Sequence, residues 1–149
     1  MNFKKLKYTV VKKAISKDLA IYLYNYFLMK KQVYDTCIQY RYLSPFETIN
    51  GFYEGKDDQI PDTFAIYSDA AMDTLMLKCQ PIMEKTTGLK LQPSYTYARI
   101  YKKGDILKRH KDRFSCEIST TLNLGGDDWP IYLSPYENVG IPEWVEGGK

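Results

Sequence analysis

Residues 95–112, which read YTYARIYKKGDILKRHKD, decide the predicted fold. Residues 95–101 are rich in β-forming side chains and indicate a strand, and residues 102–105 follow as a turn. A second short strand is expected over residues 106–112. Two more short strands, separated by the turn at Gly125-Gly126, are expected further along the chain, over residues 118–124 and 129–133.

Two helices are predicted upstream of these strands. The first covers residues 17–31, after the N-cap residue Ser16, with apolar side chains repeating on one face. The second lies within residues 68–87, where a Met-rich stripe at three- and four-residue steps indicates a face buried in the core. Pro81 predicts a kink or a break in this helix, and Gly88 is expected to end it.

The remaining segments are less regular. β-Branched residues predict an opening strand over residues 7–15, and Pro, Gly and charged residues indicate that much of 33–63 is loop. Helices followed by consecutive short strands are typical of a mainly β, α+β domain with helices buttressing one side. The length of 149 residues fits a single domain.

Composition excludes several classes of function. The chain has one His, so zinc sites built from two or three His residues are impossible within these 149 residues. Its three Cys form no CxxC motif, which predicts reduced thiols and a cytoplasmic location. We see neither a signal peptide nor a membrane-spanning run. The net charge of +3 does not favour a nucleic-acid partner.

The chemistry is expected at the His-x-Asp motif formed by His110 and Asp112. Side chains alternate along a strand, so the two would project to one side, about 6–7 Å apart along the backbone. An imidazole nitrogen and a carboxylate oxygen suit a divalent ion such as Fe(II) or Mn(II). The alternative is a His–carboxylate pair with a purely structural role.

The surrounding residues make residues 95–133 resemble the Fe(II)/2-oxoglutarate-dependent oxygenases of the prolyl 4-hydroxylase-like branch. The branch has a strand ending in Arg-x-Tyr, a Gly turn, and then His-x-Asp. It continues with a Ser/Thr-led strand, a Gly-rich turn and another strand. The matching features here are Arg99-Ile100-Tyr101, Gly104, Leu107, His110-Lys111-Asp112, residues 119–124, Gly125-Gly126 and residues 129–133.

The resemblance implies a double-stranded β-helix, or jelly-roll, core. Residues 1–90 would be its helical and loop support, and residues 91–149 its first strands. It also implies an enzyme that uses Fe(II), 2-oxoglutarate and O2, with ascorbate as an accessory reductant. The substrate would be a peptide, with a prolyl side chain as the natural choice, or a related small molecule.

The resemblance also assigns residue roles. His110 and Asp112 would be metal ligands, and no catalytic residue is expected beyond them. Tyr101 matches a tyrosine that lies beside 2-oxoglutarate. Asn123 falls where many members carry a tyrosine that donates to the far carboxylate of the oxoacid, and Thr121 shares its face by alternation.

The family pattern is incomplete in this sequence. The family needs a second His and then an Arg or Lys for 2-oxoglutarate, and no His follows Asp112. At ordinary strand and loop lengths the residues after Asp112 hold three or four strands. With the two strands before them this gives five or six, where a jelly roll needs about eight. We therefore expect a C-terminally truncated oxygenase domain, or else a degenerate protein that kept half of the site.

A non-catalytic binding module is the alternative. Six basic residues lie within residues 102–113, and tyrosines flank them. Such a strand could bind a partner or track a nucleic-acid backbone. Lysines that guard an exposed strand edge would look the same.

Overall fold

The computed structural model describes residues 3–43, 53–54 and 59–134. Its secondary structure comprises three helices and three short strands. In chain order these are α1 (Phe3–Leu6), α2 (Lys17–Gln39), β1 (Tyr53–Glu54), β2 (Phe64–Tyr67), α3 (Ala70–Thr87) and β3 (Tyr97–Arg99).

The three strands form one antiparallel sheet with β2 in the centre. Ala65 of β2 lies between Tyr53 of β1 and Arg99 of β3, and Tyr67 is paired with Tyr97. Side chains alternate across a strand, so each strand presents one set of residues to the core and the other to the opposite face. The sheet therefore has a core face and a second face that carries tyrosines.

Helix α2 begins as predicted. The Ser16 side chain accepts a hydrogen bond from the Leu19 N–H at 3.2 Å, which satisfies one of the free donors of the first turn. Leu23 and Phe27, four residues apart, are the buried residues of the helix. The helix is longer than expected, because it continues through residues predicted as loop and ends at Gln39.

Helix α3 confirms the second predicted helix but begins later. Asp69 is the N-cap, with its carboxylate accepting from the N–H groups of Ala71 and Met72. Pro81 lies inside the helix and does not divide it, so the alternative of a break is wrong. Gly88 ends the helix as predicted, in the left-handed conformation (φ 72°) that glycine adopts without a Cβ clash.

The core lies between the two long helices and the sheet. Its buried cluster consists of Leu23, Phe27, Phe64, Ile66 and Met72. The Phe64 ring lies 5.4 Å from the Phe27 ring and 5.6 Å from the Tyr34 ring, measured between centroids. Met72 is buried in this cluster and Ala71 and Leu75 pack against it, which confirms that the first part of the Met-rich stripe faces the core.

The jelly-roll prediction is wrong for the part of the chain that is described. Residues 7–15, 118–124 and 129–133 contain no strand, and residues 106–112 contain a single bridge residue, Lys111. A strand exists only when a neighbour pairs its N–H and C=O groups, and β3 has its one ladder with β2. Ile106 and Ile131, taken as strand residues, are more than half exposed.

The predicted loop over residues 33–63 and the chain end fall partly outside the described residues. Where they are described, residues 33–39 continue α2 and Tyr53–Glu54 forms β1. Across the described ranges, none of the helices is both long and apolar enough to cross a membrane.

Candidate functional site

His110 and Asp112 lie close together, although the strand from which this was expected is absent. The His110 Nε2 atom is 3.7 Å from the Asp112 Oδ1 atom. The His110 side chain is 21% exposed and the Asp112 side chain is 51% exposed, so the pair opens to solvent on the carboxylate side. Residues 106–112 contain one bridge residue, Lys111, and no strand, so the pairing does not depend on an extended ladder.

A hydrogen bond at the other ring nitrogen, Nδ1, sets the orientation of the imidazole. His110 Nδ1 lies 2.8 Å from the backbone carbonyl oxygen of Lys108. A carbonyl can only accept, so Nδ1 carries the proton and donates it. In a neutral imidazole Nε2 then keeps its lone pair, and that lone pair is on the side of Asp112. Metal-binding histidines are oriented by this kind of bond to a carbonyl or carboxylate.

The donor set fits a divalent metal ion in part. Two bonds of about 2.1 Å at a right angle, as in a facial triad, place the two donor atoms about 3.0 Å apart, so the 3.7 Å separation observed would have to close by about 0.7 Å around such an ion. A neutral imidazole with a carboxylate is the mixed set that Fe(II) and Mn(II) accept. Within residues 3–43, 53–54 and 59–134, no third His, Cys, Asp or Glu completes a cluster around them. His110 is the sole histidine of the sequence.

Tyr101 lies in an aromatic neighbourhood. Its ring contacts Trp129 edge to face, with centroids 4.2 Å apart, and its hydroxyl accepts a hydrogen bond from Arg99 at 3.3 Å. The ring is 39% exposed, so it is available to a ligand. These contacts do not join Tyr101 to the His110–Asp112 pair, so its assignment to 2-oxoglutarate stays a prediction.

Thr121 and Asn123 are exposed residues of the segment that lacks strands. The Asn123 Oδ1 atom accepts a hydrogen bond from the Gly125 N–H at 2.9 Å. This local bond is of the kind that initiates a turn. It involves the amide oxygen of Asn123, and the two N–H donors of the same amide take no part in it. The cosubstrate roles of both residues stay predictions.

A second polar cluster was not anticipated from the sequence. The Asp69 carboxylate, with 1% of its side chain exposed, accepts from the Lys30 ammonium at 2.6 Å and from the Tyr26 hydroxyl at 2.9 Å. It joins α2 to the start of α3. A Tyr and a Lys four residues apart on one helix face, and an Asp just before another helix, are the signals that could have indicated it.

The pKa directions in this cluster agree with an ion pair. Burial opposes the charge on Asp69, but the hydrogen bonds from Lys30 and Tyr26 outweigh it and lower the pKa of the carboxyl group. Burial also opposes the charge on Lys30, and the hydrogen bond and charge of Asp69 outweigh it and raise the pKa of Lys30. Burial, together with Asp69, raises the pKa of Tyr26. The cluster connects α2 to the start of α3 through a paired carboxylate and ammonium, Asp69 and Lys30.

A smaller network holds the turn that precedes the His-x-Asp segment. Asp105 accepts from the backbone N–H of Lys102 at 2.8 Å, and its second oxygen pairs with the Lys102 ammonium at 3.2 Å. The same ammonium donates to the backbone oxygen of Asp62 at 2.7 Å. Burial opposes ionisation of Asp105, but the bonds from Lys102 lower its pKa. The turn is thereby attached to the residues that lead into β2.

Comparison with protein-family models, with curated proteins and with solved structures found no match for this chain.

Proposed function

We propose that this chain is the metal-binding part of an Fe(II)- and 2-oxoglutarate-dependent dioxygenase that hydroxylates a peptide, with a prolyl residue as the first substrate to try. One observation carries the proposal. The His110 Nε2 atom lies 3.7 Å from the Asp112 Oδ1 atom, while Nδ1 is hydrogen-bonded to the Lys108 carbonyl oxygen. The His-x-Asp motif and its neighbours also resemble those of the prolyl 4-hydroxylase-like branch.

Two residues of this chain would hold the iron. His110 would supply an imidazole nitrogen whose ring orientation is set by a backbone acceptor, and Asp112 would supply a carboxylate oxygen, which lies 3.7 Å from that nitrogen. With 2-oxoglutarate and O2, bound Fe(II) supplies oxidative decarboxylation of the oxoacid coupled to hydroxylation of a substrate. The sequence holds one histidine, so these residues provide two of the three protein ligands of the family triad.

Other residues would bind the organic partners. Tyr101 offers an exposed ring and a hydroxyl oriented by Arg99, which suits a position beside the oxoacid. The basic residues within 102–113 raise the local concentration of an anionic cosubstrate or an acidic peptide. Asn123 and Thr121 are the remaining candidates for the far carboxylate of 2-oxoglutarate.

Metal binding is the first test. Mn(II) titration, followed by the loss of its free electron paramagnetic resonance signal, should show one site. His110→Gln and Asp112→Asn should each weaken Mn(II) binding at least about tenfold, because each substitution removes one of the two protein donors to the metal. Asp127→Asn, which alters an exposed acid outside the motif, is the matched control and should bind Mn(II) like the wild type. Undiminished affinity in His110→Gln would refute the site.

Turnover is the second test. With Fe(II), ascorbate and a proline-containing peptide, the protein should release succinate from 2-oxoglutarate, and His110→Gln should not. Metal binding without succinate release would leave a divalent-ion site and reject the dioxygenase. The reaction should be repeated with 2-oxoglutarate alone, because uncoupled decarboxylation separates a failed peptide choice from a failed enzyme.

A further inference from the structure

One face of the sheet is lined by aromatic rings. Along β3 and the residue after it, Ala98 and Ile100 pack against the core cluster, so the residues that alternate with them lie on the opposite face. Tyr67 of β2 is the cross-strand partner of Tyr97 and shares that face. We call this surface the tyrosine face; its members are Tyr67, Tyr95, Tyr97, Arg99, Tyr101 and Trp129.

The rings of the tyrosine face make two sets of contacts. Tyr67 and Tyr95 are stacked, with centroids 4.5 Å apart and planes 24° from parallel. The Arg99 guanidinium lies 4.9 Å from the Tyr97 ring and 5.4 Å from the Tyr101 ring, and Tyr101 in turn contacts Trp129. From Tyr95 to Tyr101 the backbone spans about 20 Å at strand rise.

These rings are open to solvent. Tyr67, Tyr97, Tyr101 and Trp129 are all exposed, each by more than a third. Arg99 donates to the hydroxyls of Tyr97 and Tyr101, both at 3.3 Å, so the rings and the guanidinium are held in a fixed arrangement before any ligand arrives. A preformed aromatic surface loses little conformational entropy on binding.

Positive charge is concentrated beside the same face. Residues 95–113 hold seven basic and two acidic residues, whereas the rest of the chain is slightly acidic. One of the two acids, Asp105, is already paired with Lys102. The Arg113 guanidinium lies 5.8 Å from the Tyr95 ring, which joins the basic loop to the aromatic surface. The surface therefore combines flat rings with a local excess of cations.

We propose that the tyrosine face binds single-stranded nucleic acid, with bases stacked on the rings and phosphates neutralised by Arg113 and the lysines of residues 102–111. Proteins that hold single strands without sequence preference combine an electropositive track with exposed aromatic side chains. An acidic polypeptide would satisfy the charges but offers no flat faces to the tyrosines, and a duplex hides its base faces. This proposal shares Tyr101 and the basic residues within 102–113 with the dioxygenase proposal, but it needs no metal or oxoacid and can be tested without them.

Fluorescence anisotropy with labelled single strands of about twelve nucleotides tests it, with deoxyribose and ribose versions run in parallel. Tyr97→Thr removes a ring but keeps β propensity, and Trp129→Ala removes a ring outside the strands. Each should weaken binding about 5- to 150-fold, the effect of losing one stacked base. Tyr22→Ala, which removes an exposed ring from α2, should leave affinity unchanged.

The salt dependence of binding tests the cationic half of the proposal. Lys103→Gln should reduce the slope of log affinity against log salt by about 0.7, the value for one phosphate contact on a single strand. Lys78→Gln on α3 is the matched control and should not change the slope.

Three results would overturn the proposal. The first is no anisotropy change in low salt up to about 100 µM protein, the weak end of non-specific binding. The second is an affinity for a duplex, or for polyglutamate, equal to that for the single strand, together with unchanged affinity in Tyr97→Thr and Trp129→Ala. That result would mean that binding depends on charge alone. The third is a Tyr22→Ala variant that binds as weakly as the variants of the tyrosine face.

Discussion

Residues 16–100 and residues 101–134 differ in their regular secondary structure and in their share of the buried core. The first region contains α2, α3, the strands β1, β2 and β3, and the buried core residues. The second region contains neither a helix nor a strand longer than one bridge residue, and it exposes Phe114 fully and Tyr132 almost fully. The comparison indicates that folding stability resides in the first region, whereas the proposed His-x-Asp site lies in the second.

A few contacts attach the second region to the first. Leu124 packs against the core cluster, and the backbone of Gly125 lies so close to Tyr24 that an added Cβ would come within 2.8 Å of its ring. The Tyr95 hydroxyl lies 3.2 Å from the Cys116 Sγ atom, and this bond, with burial, raises the pKa of Tyr95 to about 12. These attachments orient the second region without giving it a core of its own.

Phe64→Ala should have the largest effect on stability. Phe64 is buried between the rings of Phe27 and Tyr34, so truncation leaves a cavity where the sheet meets α2. We expect the free energy of unfolding to fall by about 3–5 kcal/mol. Urea unfolding followed by circular dichroism measures this. A loss below about 1 kcal/mol would mean that the first region does not hold the stability.

The sequence predicted the features whose causes are local. The Ser16 cap, the periodicity of α3 and the left-handed Gly88 each depend on residues within one or two turns of helix. These features were therefore readable from the pattern alone. The closeness of His110 to Asp112 was expected from strand alternation, but it is found where no strand forms.

Features that depend on distant partners were not predictable in this way. Whether residues 106–112 form a strand depends on a neighbouring strand that pairs with them, and the alternation of apolar residues does not show whether such a neighbour exists. Asp69 and Lys30 are 39 positions apart, so their ion pair required the packing of α3 on α2. The Lys108 carbonyl that orients His110 is a backbone group, and side-chain patterns give no sign of it.

Asp69→Asn should have an intermediate and pH-dependent effect. Asn still caps α3, so the substitution removes the charge without removing the cap. At neutral pH we expect a loss of about 2–3 kcal/mol, the scale of hydrogen bonds to a charged group. The variant thus tests whether the ion pair, rather than the cap, joins the helices of the first region.

The pH dependence follows from the lowered pKa of Asp69. The ordinary pKa of this carboxyl is 3.8 and the folded value is lower, so its contribution is fully present above 3.8 and is lost as pH falls through the folded pKa. The stability difference between wild type and Asp69→Asn should therefore shrink at low pH. A difference that stays constant from neutral to acidic pH would show that the ion pair contributes nothing.

Phe114→Ala should have the smallest effect, and it completes a matched pair with Phe64→Ala because the same ring is removed from each region. Phe114 is fully exposed, so its loss takes no apolar surface out of a core. The expected change in unfolding free energy is within about 0.5 kcal/mol. The same urea titration measures it. A loss approaching that of Phe64→Ala would mean that this ring is covered in solution, and the division into a stabilising region and an exposed functional region would then have to be abandoned.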